Sequence, residues 1–168
     1  MPEPDYREDL RTAYDADVER RDAMTPAPWR TEVVDAFLEQ VTTGGSVLEL
    51  GCGTGQLAAH VAPTGRAVTA IDLSPANVAR TRARGITAHE ASFEALPFED
   101  GAFHGAFAMN SLLHVPQHEL PGAIIESRRV LRSGSPLLIV VWGGHRHEGP
   151  FEHEWLDPPR YFSLYTDE

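Results

Sequence analysis

Residues 46–72 read SVLELGCGTGQLAAHVAPTGRAVTAID, and the alternation within this stretch decides the fold. Residues 46–50 form a short β-rich run that feeds straight into the glycine loop Gly51-Cys52-Gly53-Thr54-Gly55; a helix is expected over 56–61 and a second strand over 67–71. Strands joined this way run parallel, because a parallel crossover needs a connecting helix. Glycines at the strand-to-helix turn let the backbone approach a ligand and present N–H groups at the positive end of a helix. Asp72 closes the second strand, 17 residues after Gly55, near the offset at which an acid accepts hydrogen bonds from ribose hydroxyls in nucleoside-binding α/β units. A glycine-rich turn followed by an acidic helix cap would use the same residues without any ligand.

The alternation continues on both sides. Downstream, 74–84 reads as a helix with Ser74 as N-cap and Pro75 at its first position. Further strands are expected over 86–89, 103–109 and 136–142, with a helix over about 117–131 before the last. LLIVVW, within that last strand, is the near-continuous apolar run of a parallel strand covered on both faces. Upstream, 6–22 is a charged helix, and Trp29, Val33, Val34, Phe37, Leu38 and Val41 recur at helical spacing until Gly44-Gly45. The class is therefore α/β, a parallel sheet with helices on both faces. Residues 1–142 make up this unit, with an N-terminal helical cap over about 6–28. The tail, 143–168, holds five of the fourteen aromatic residues and reads as an irregular, aromatic- and His-rich extension of the same domain.

A chain of 168 residues suits one core. The net charge of −11 argues against nucleic-acid backbones and anionic membranes as partners. All fourteen basic residues are Arg, which excludes Schiff-base chemistry and a phosphate-loop lysine. The single cysteine, Cys52, fits a free thiol in a reducing compartment. The N-terminus is acidic and lacks an apolar core, and no apolar run approaches membrane-spanning length, so a cytoplasmic location is expected.

The glycine pattern is GxGxG, not the dinucleotide GxGxxG, and Glu49 stands two residues before it. A carboxylate there repels a pyrophosphate and suits a cationic ligand, which tells against a nicotinamide-dependent oxidoreductase. VLELGCGTG followed by AVTAIDLSP resembles the class I S-adenosylmethionine-dependent methyltransferases, over about residues 14–142. ASFEALPF and LRSGS add support, at 91–98 and 131–135. The resemblance implies a Rossmann-like sheet of order 3-2-1-4-5, S-adenosylmethionine as cofactor with S-adenosylhomocysteine as product, and a small-molecule methyl acceptor with an O, N or C nucleophile. It implies that Gly51, Cys52, Gly53 and Gly55 line the methionine part of the cofactor, with Glu49 near its ammonium. Asp72 would bind the ribose, Leu73 would lie against the adenine, and Ser92 and Phe93 would flank the base. The family often has Asp where Ser92 stands, so that contact is weakened or replaced. Asn110 would face the cofactor; its plain reading is an Asn ending a strand in a turn. Tyr14-Asp15 resembles a YDxxAxxY element that closes over the cofactor, although the second Tyr is absent.

Methyl transfer from a sulfonium is an in-line displacement in which positioning and desolvation suffice, so no nucleophile or metal is required. His114, just after the fourth strand, would deprotonate an acceptor, or else serve as a hydrogen-bonded loop residue shaping the pocket. His145, His147 and His153 with Glu148, Glu152 and Glu154 lack metal-site spacing, and no metal is expected. The resemblance implies a helix and an antiparallel hairpin after the fifth strand; they are not expected before residue 168, so an exposed apolar edge at 137–142 is expected. Truncation, cover by the tail, or a homodimer through this edge would each account for it. A cofactor-binding or regulatory module without turnover is the non-enzymatic alternative.

Overall fold

The computed structural model describes residues 5–151 and 154–166. Chain order is α1 (Tyr6–Asp22), α2 (Pro28–Leu38), β1 (Ser46–Leu50), α3 (Gln56–Val61), β2 (Ala67–Asp72), α4 (Pro75–Ala83), β3 (Thr87–Glu90), β4 (Gly105–Met109), α5 (Leu120–Arg129) and β5 (Leu137–Val140). A hairpin of β6 (His147–Pro150) and β7 (Tyr161–Leu164) follows. The main sheet has five parallel strands in the order β3-β2-β1-β4-β5. The chain direction across the sheet reverses between β1 and β4, and a crevice opens there at the carboxyl ends of the strands.

Side-chain alternation sorts the strands onto two layers. Val47, Phe107 and Met109 pack with Phe37 and Leu38 of α2 and Leu57 and Val61 of α3. Leu48, Leu50, Ala106 and Ala108 turn the other way, onto a core that includes Ala123 of α5. Ser74 caps α4 as expected, its hydroxyl accepting from the Asn77 N–H at 3.0 Å. Helix α1 is a cap held by polar contacts. Asp15 accepts from Ser74 Oγ and from the Ala76 N–H, Asp22 pairs with Arg84, and Tyr6 donates to Glu119 at 2.8 Å.

One expectation is corrected here. The tail read as irregular contains the β6–β7 antiparallel hairpin, a two-stranded sheet separate from the main one. Its apolar residues are too few to announce a strand on their own; they are buried by tertiary contact. Phe162 and Leu164 pack on Leu113, Val141 and Phe151, and the Phe162 ring stacks on Trp142 at 6.0 Å between centroids. A single parallel bridge between Gly143 and Tyr165 holds the hairpin beside the chain leaving β5. Among the described residues no strand pairs with the outer side of β5, where Ile139 is exposed.

Candidate functional site

A cavity of about 430 Å³ lies over the β1–β4 crevice, roofed by α1 and by the segment leading into α2. Tyr14, Glu49, Gly51, Cys52 and Gly53 line it, as do Asp72, Leu73, Phe93, Asn110 and His114. Gly55 and Ser92 do not. Gly55 backs onto α4: at φ +77°, an added Cβ would sit 2.6 Å from Thr81 Oγ1, so this glycine serves helix packing. Ser92 lies in the turn beyond β3, where its hydroxyl accepts from the Glu94 N–H.

The glycine loop is shaped by close approach. Gly51 has φ +74°, and a Cβ there would stand 2.3 Å from Ser111 Cβ, so only glycine admits both the backbone angle and the neighbour. Asp72 ties the loop to α4. One carboxylate oxygen accepts from the Gly53 N–H at 2.7 Å, the other from the Ser74 N–H at 2.9 Å and from Asn77 Nδ2 at 3.2 Å. The acidic-cap role is thus real, and the residue still faces the cavity. Burial outweighs these donors and lifts its carboxyl above the usual range.

Among the described residues, Arg21, Glu49, Asn77 and Asn110 line the cavity with buried polar atoms that lack partners; Glu49 and Asn110 stand at the crevice itself. Glu49 is 2% exposed, and its Oε2 has no hydrogen-bond partner among the described residues. Burial first, and then the Asp72 charge, hold its carboxyl well above the usual range, with the Ala58 N–H pulling the other way. Asn110 has φ 56°, a left-handed conformation unusual for a non-glycine residue, and both Oδ1 and Nδ2 are buried and unpaired. Strain and unsatisfied polarity together mark a position organised for a ligand.

His114 is committed on both sides. Nδ1 lies 2.6 Å from the Tyr161 carbonyl oxygen, so it must carry the proton and donate; Nε2 then accepts from the Tyr14 hydroxyl at 2.6 Å. Burial depresses its pKa to about 3, leaving a neutral ring. The Tyr14 hydroxyl also receives Arg160 Nη1 at 3.3 Å, and burial raises its own pKa. Both ring nitrogens are thus engaged, the geometry of a hydrogen-bonded loop residue that lines the cavity beside Tyr14. Cys52 is buried with its Sγ 3.3 Å from Thr81 Oγ1, and burial pushes its thiol up.

Sequence reasoning missed the cations of this site. Arg20, Arg21, Arg30 and Arg160 all line the cavity. On α1, Leu10, Tyr14, Asp17 and Arg21 fall at helical spacing on one face, a signal that was available. Arg160 comes from the tail and pairs with Glu154 at 2.8 Å, a contact no spacing rule announces. Three tail residues are engaged elsewhere: His147 bonds the Gly149 carbonyl, Glu148 accepts from the Gln117 N–H and the Tyr161 hydroxyl, and Glu154 pairs with Arg160. Glu152 and His153 lie outside the described residues. Among those described, no group of three His, Cys, Asp or Glu could hold a metal, and no helix is long and apolar enough to cross a membrane.

Comparison with known proteins places this geometry. A family model described as a methyltransferase domain matches residues 47–134. An O-methyltransferase, resE, of Aspergillus sclerotiorum is 33% identical over 141 residues, covering 78% of this chain and 52% of the relative. A ubiquinone biosynthesis O-methyltransferase of Xanthomonas oryzae pv. oryzae is 34% identical over 134 residues, 75% of this chain and 54% of the relative. The chain thus spans about half the length of these curated relatives. Among solved structures, a methyltransferase in complex with the Haloferax volcanii Trm112 activator superposes with a TM-score of 0.74 at 22% identity, covering 94% of this chain and 70% of the other, which shows the fold. The [4+2]-cyclase SpnF superposes at 0.63 with 30% identity, over 80% of this chain and 52% of its own. Sheet order, glycine loop and family match agree, and the chain belongs to the class I S-adenosylmethionine-dependent methyltransferase family.

Proposed function

We propose that this chain binds S-adenosylmethionine in the β1–β4 crevice and moves its methyl group to a small-molecule acceptor, leaving S-adenosylhomocysteine. The observation that carries the reading is Glu49: a buried carboxylate with an unpartnered oxygen at the switch point of a parallel sheet would be stabilised by a cationic ligand. The residues present fit that cofactor. Glu49 would hold the ammonium end, and Asp72 would accept from the ribose hydroxyls while its other contacts hold the loop. Leu73 and Phe93 would flank the base, and Asn110 would use its two unpaired atoms at the amino-acid end.

When bound, the cofactor supplies a methyl carbon activated by its sulfonium. The protein's task is then to align, dry and hold. Tyr14 and His114 seat α1 and the loop after β4 around the cavity, with the one Tyr14 hydroxyl proton held by His114 Nε2. No side chain has to form a covalent bond, because orientation and exclusion of water suffice for a displacement of this kind. A second reading, binding without methyl transfer, draws support from the committed ring nitrogens of His114 and from a cyclase among the structural relatives. A radiolabelled methyl-transfer assay across a panel of phenol, amine and carboxylate acceptors separates the two: transfer to any acceptor supports the enzyme, while binding of S-adenosylhomocysteine without transfer supports the module.

A further inference from the structure

Two guanidinia reach the cavity without an acid of their own. Arg20 pairs with Asp17 at 2.7 Å and Arg160 with Glu154 at 2.8 Å, whereas Arg21 and Arg30 make no ion pair among the described residues. Arg21 comes from α1; its Nε is buried without a partner, and its guanidinium lies 5.0 Å from the Tyr14 ring centroid. Arg30 comes from α2 and sits 5.4 Å from the Trp29 ring centroid. Burial, and then the charge of Arg21, pull the Arg30 pKa below its ordinary value, so the two cations feel each other. Neither guanidinium touches an acid among the described residues, although the Arg21 charge reaches Asp72, and an anion beside them would gain charge-assisted hydrogen bonds.

The charges can be balanced, resting on the cofactor reading above. With the internally paired Arg20 and Arg160 set aside, the cavity holds Arg21 and Arg30 against Glu49 and Asp72. S-adenosylmethionine brings a single carboxylate against an ammonium and a sulfonium. That carboxylate can satisfy one guanidinium while Glu49 takes the ammonium. The other guanidinium is left without a contacting acid whether the cofactor or its product fills the cavity, and the sulfonium, present only in S-adenosylmethionine, adds a surplus positive charge. We propose that the methyl acceptor bears an anionic group, a carboxylate or a phosphate, bound by whichever of Arg21 and Arg30 the cofactor leaves free. Met24 and Trp142, both half-exposed on the same cavity, offer the rest of the acceptor an apolar surface.

The test uses the 168-residue chain saturated with S-adenosylhomocysteine, titrated calorimetrically with benzoate and phenyl phosphate, and with benzamide and benzyl alcohol as neutral counterparts. Wild type is compared with R21Q and R30Q and with the charge-keeping R21K and R30K, each checked for folding by circular dichroism. At least one anionic probe should bind about tenfold more tightly than its neutral counterpart, as a charge-assisted hydrogen bond requires. One Gln variant should abolish that preference while keeping its affinity for S-adenosylhomocysteine, with the matching Lys variant restoring much of it. The probe that gains most tells carboxylate from phosphate. No preference for an anion in the wild type, or a preference that survives in both Gln variants, overturns the proposal. Loss of S-adenosylhomocysteine affinity in both Gln variants with the preference intact assigns both guanidinia to the cofactor and overturns it equally. Failure of S-adenosylhomocysteine to bind the folded wild type overturns the cofactor reading itself, and is recognised before any probe is added.

Discussion

Replacing Glu49 with Gln should make the empty protein more stable and its ligand binding worse. The side chain is 2% exposed and Oε2 lacks a donor, so the ionised form carries an uncompensated desolvation penalty. A buried unsatisfied group costs about 1–3 kcal/mol, and Gln keeps the shape while removing the charge, so a stabilisation of roughly that size is expected at pH 8. For a chain of this length that is a rise in Tm of about 2–10 °C. The sign follows from linkage. The folded carboxyl titrates well above its ordinary value of 4.5, so the native state holds the extra proton, and stability falls as pH rises through that raised value. Wild type and Glu49→Gln should therefore have similar stabilities below pH 4.5 and diverge above it. Without the charge that would face the ligand's ammonium, affinity for S-adenosylhomocysteine should drop about 10- to 100-fold. Thermal melts from pH 4 to 9 and calorimetric titration read both effects. A Glu49→Gln protein less stable than wild type at pH 8, or one with unchanged affinity, would refute the assignment of Glu49 as a buried charge held for a cation.

The His114 ring, with a pKa of about 3, is neutral when folded, and its contribution to stability is complete above the unfolded value of 6.5 and lost as pH falls toward 3. His114→Asn should flatten that acid limb in a pH series of melts; an unchanged limb would place the effect elsewhere. Gly51→Ala combines a positive φ with a 2.3 Å clash and should cost about 2–5 kcal/mol, whereas Gly53→Ala, with φ +53° and open space, should cost about 1–2 kcal/mol in urea denaturation. Equal costs would show that the Ser111 contact yields freely. Self-association along the open edge of β5 should appear as concentration-dependent mass in light scattering and be abolished by Ile139→Lys; a monomer at high concentration removes that expectation.

The sheet was legible because its signals are local. Strand β1, the glycine loop and α3 follow one another without interruption, Ser74-Pro75 announces α4, and the period of two in β1 and β4 matches the layers that bury them. Asp72 was legible for the same reason, as the last residue of β2. Roles that depend on distant partners were not. Gly55 belongs with its loop by spacing, yet Thr81 of α4 determines what it does. Strand β7 becomes a strand only because Phe162 and Leu164 find Leu113 and Val141, and Arg160 joins the site through that hairpin. Arg21 and Arg30 are two of fourteen arginines, and the sequence does not mark which ones lack an acid nearby.

The central claim is that the crevice beside Glu49 and Asp72 takes S-adenosylmethionine. Calorimetric titration of the folded chain with S-adenosylhomocysteine tests it most directly, with NADH as the control ligand and Asp72→Ala as the contrast. Saturable binding of S-adenosylhomocysteine, no binding of NADH, and a weakened Asp72→Ala are the results expected. A folded chain that ignores S-adenosylhomocysteine, or binds NADH as well, would contradict it.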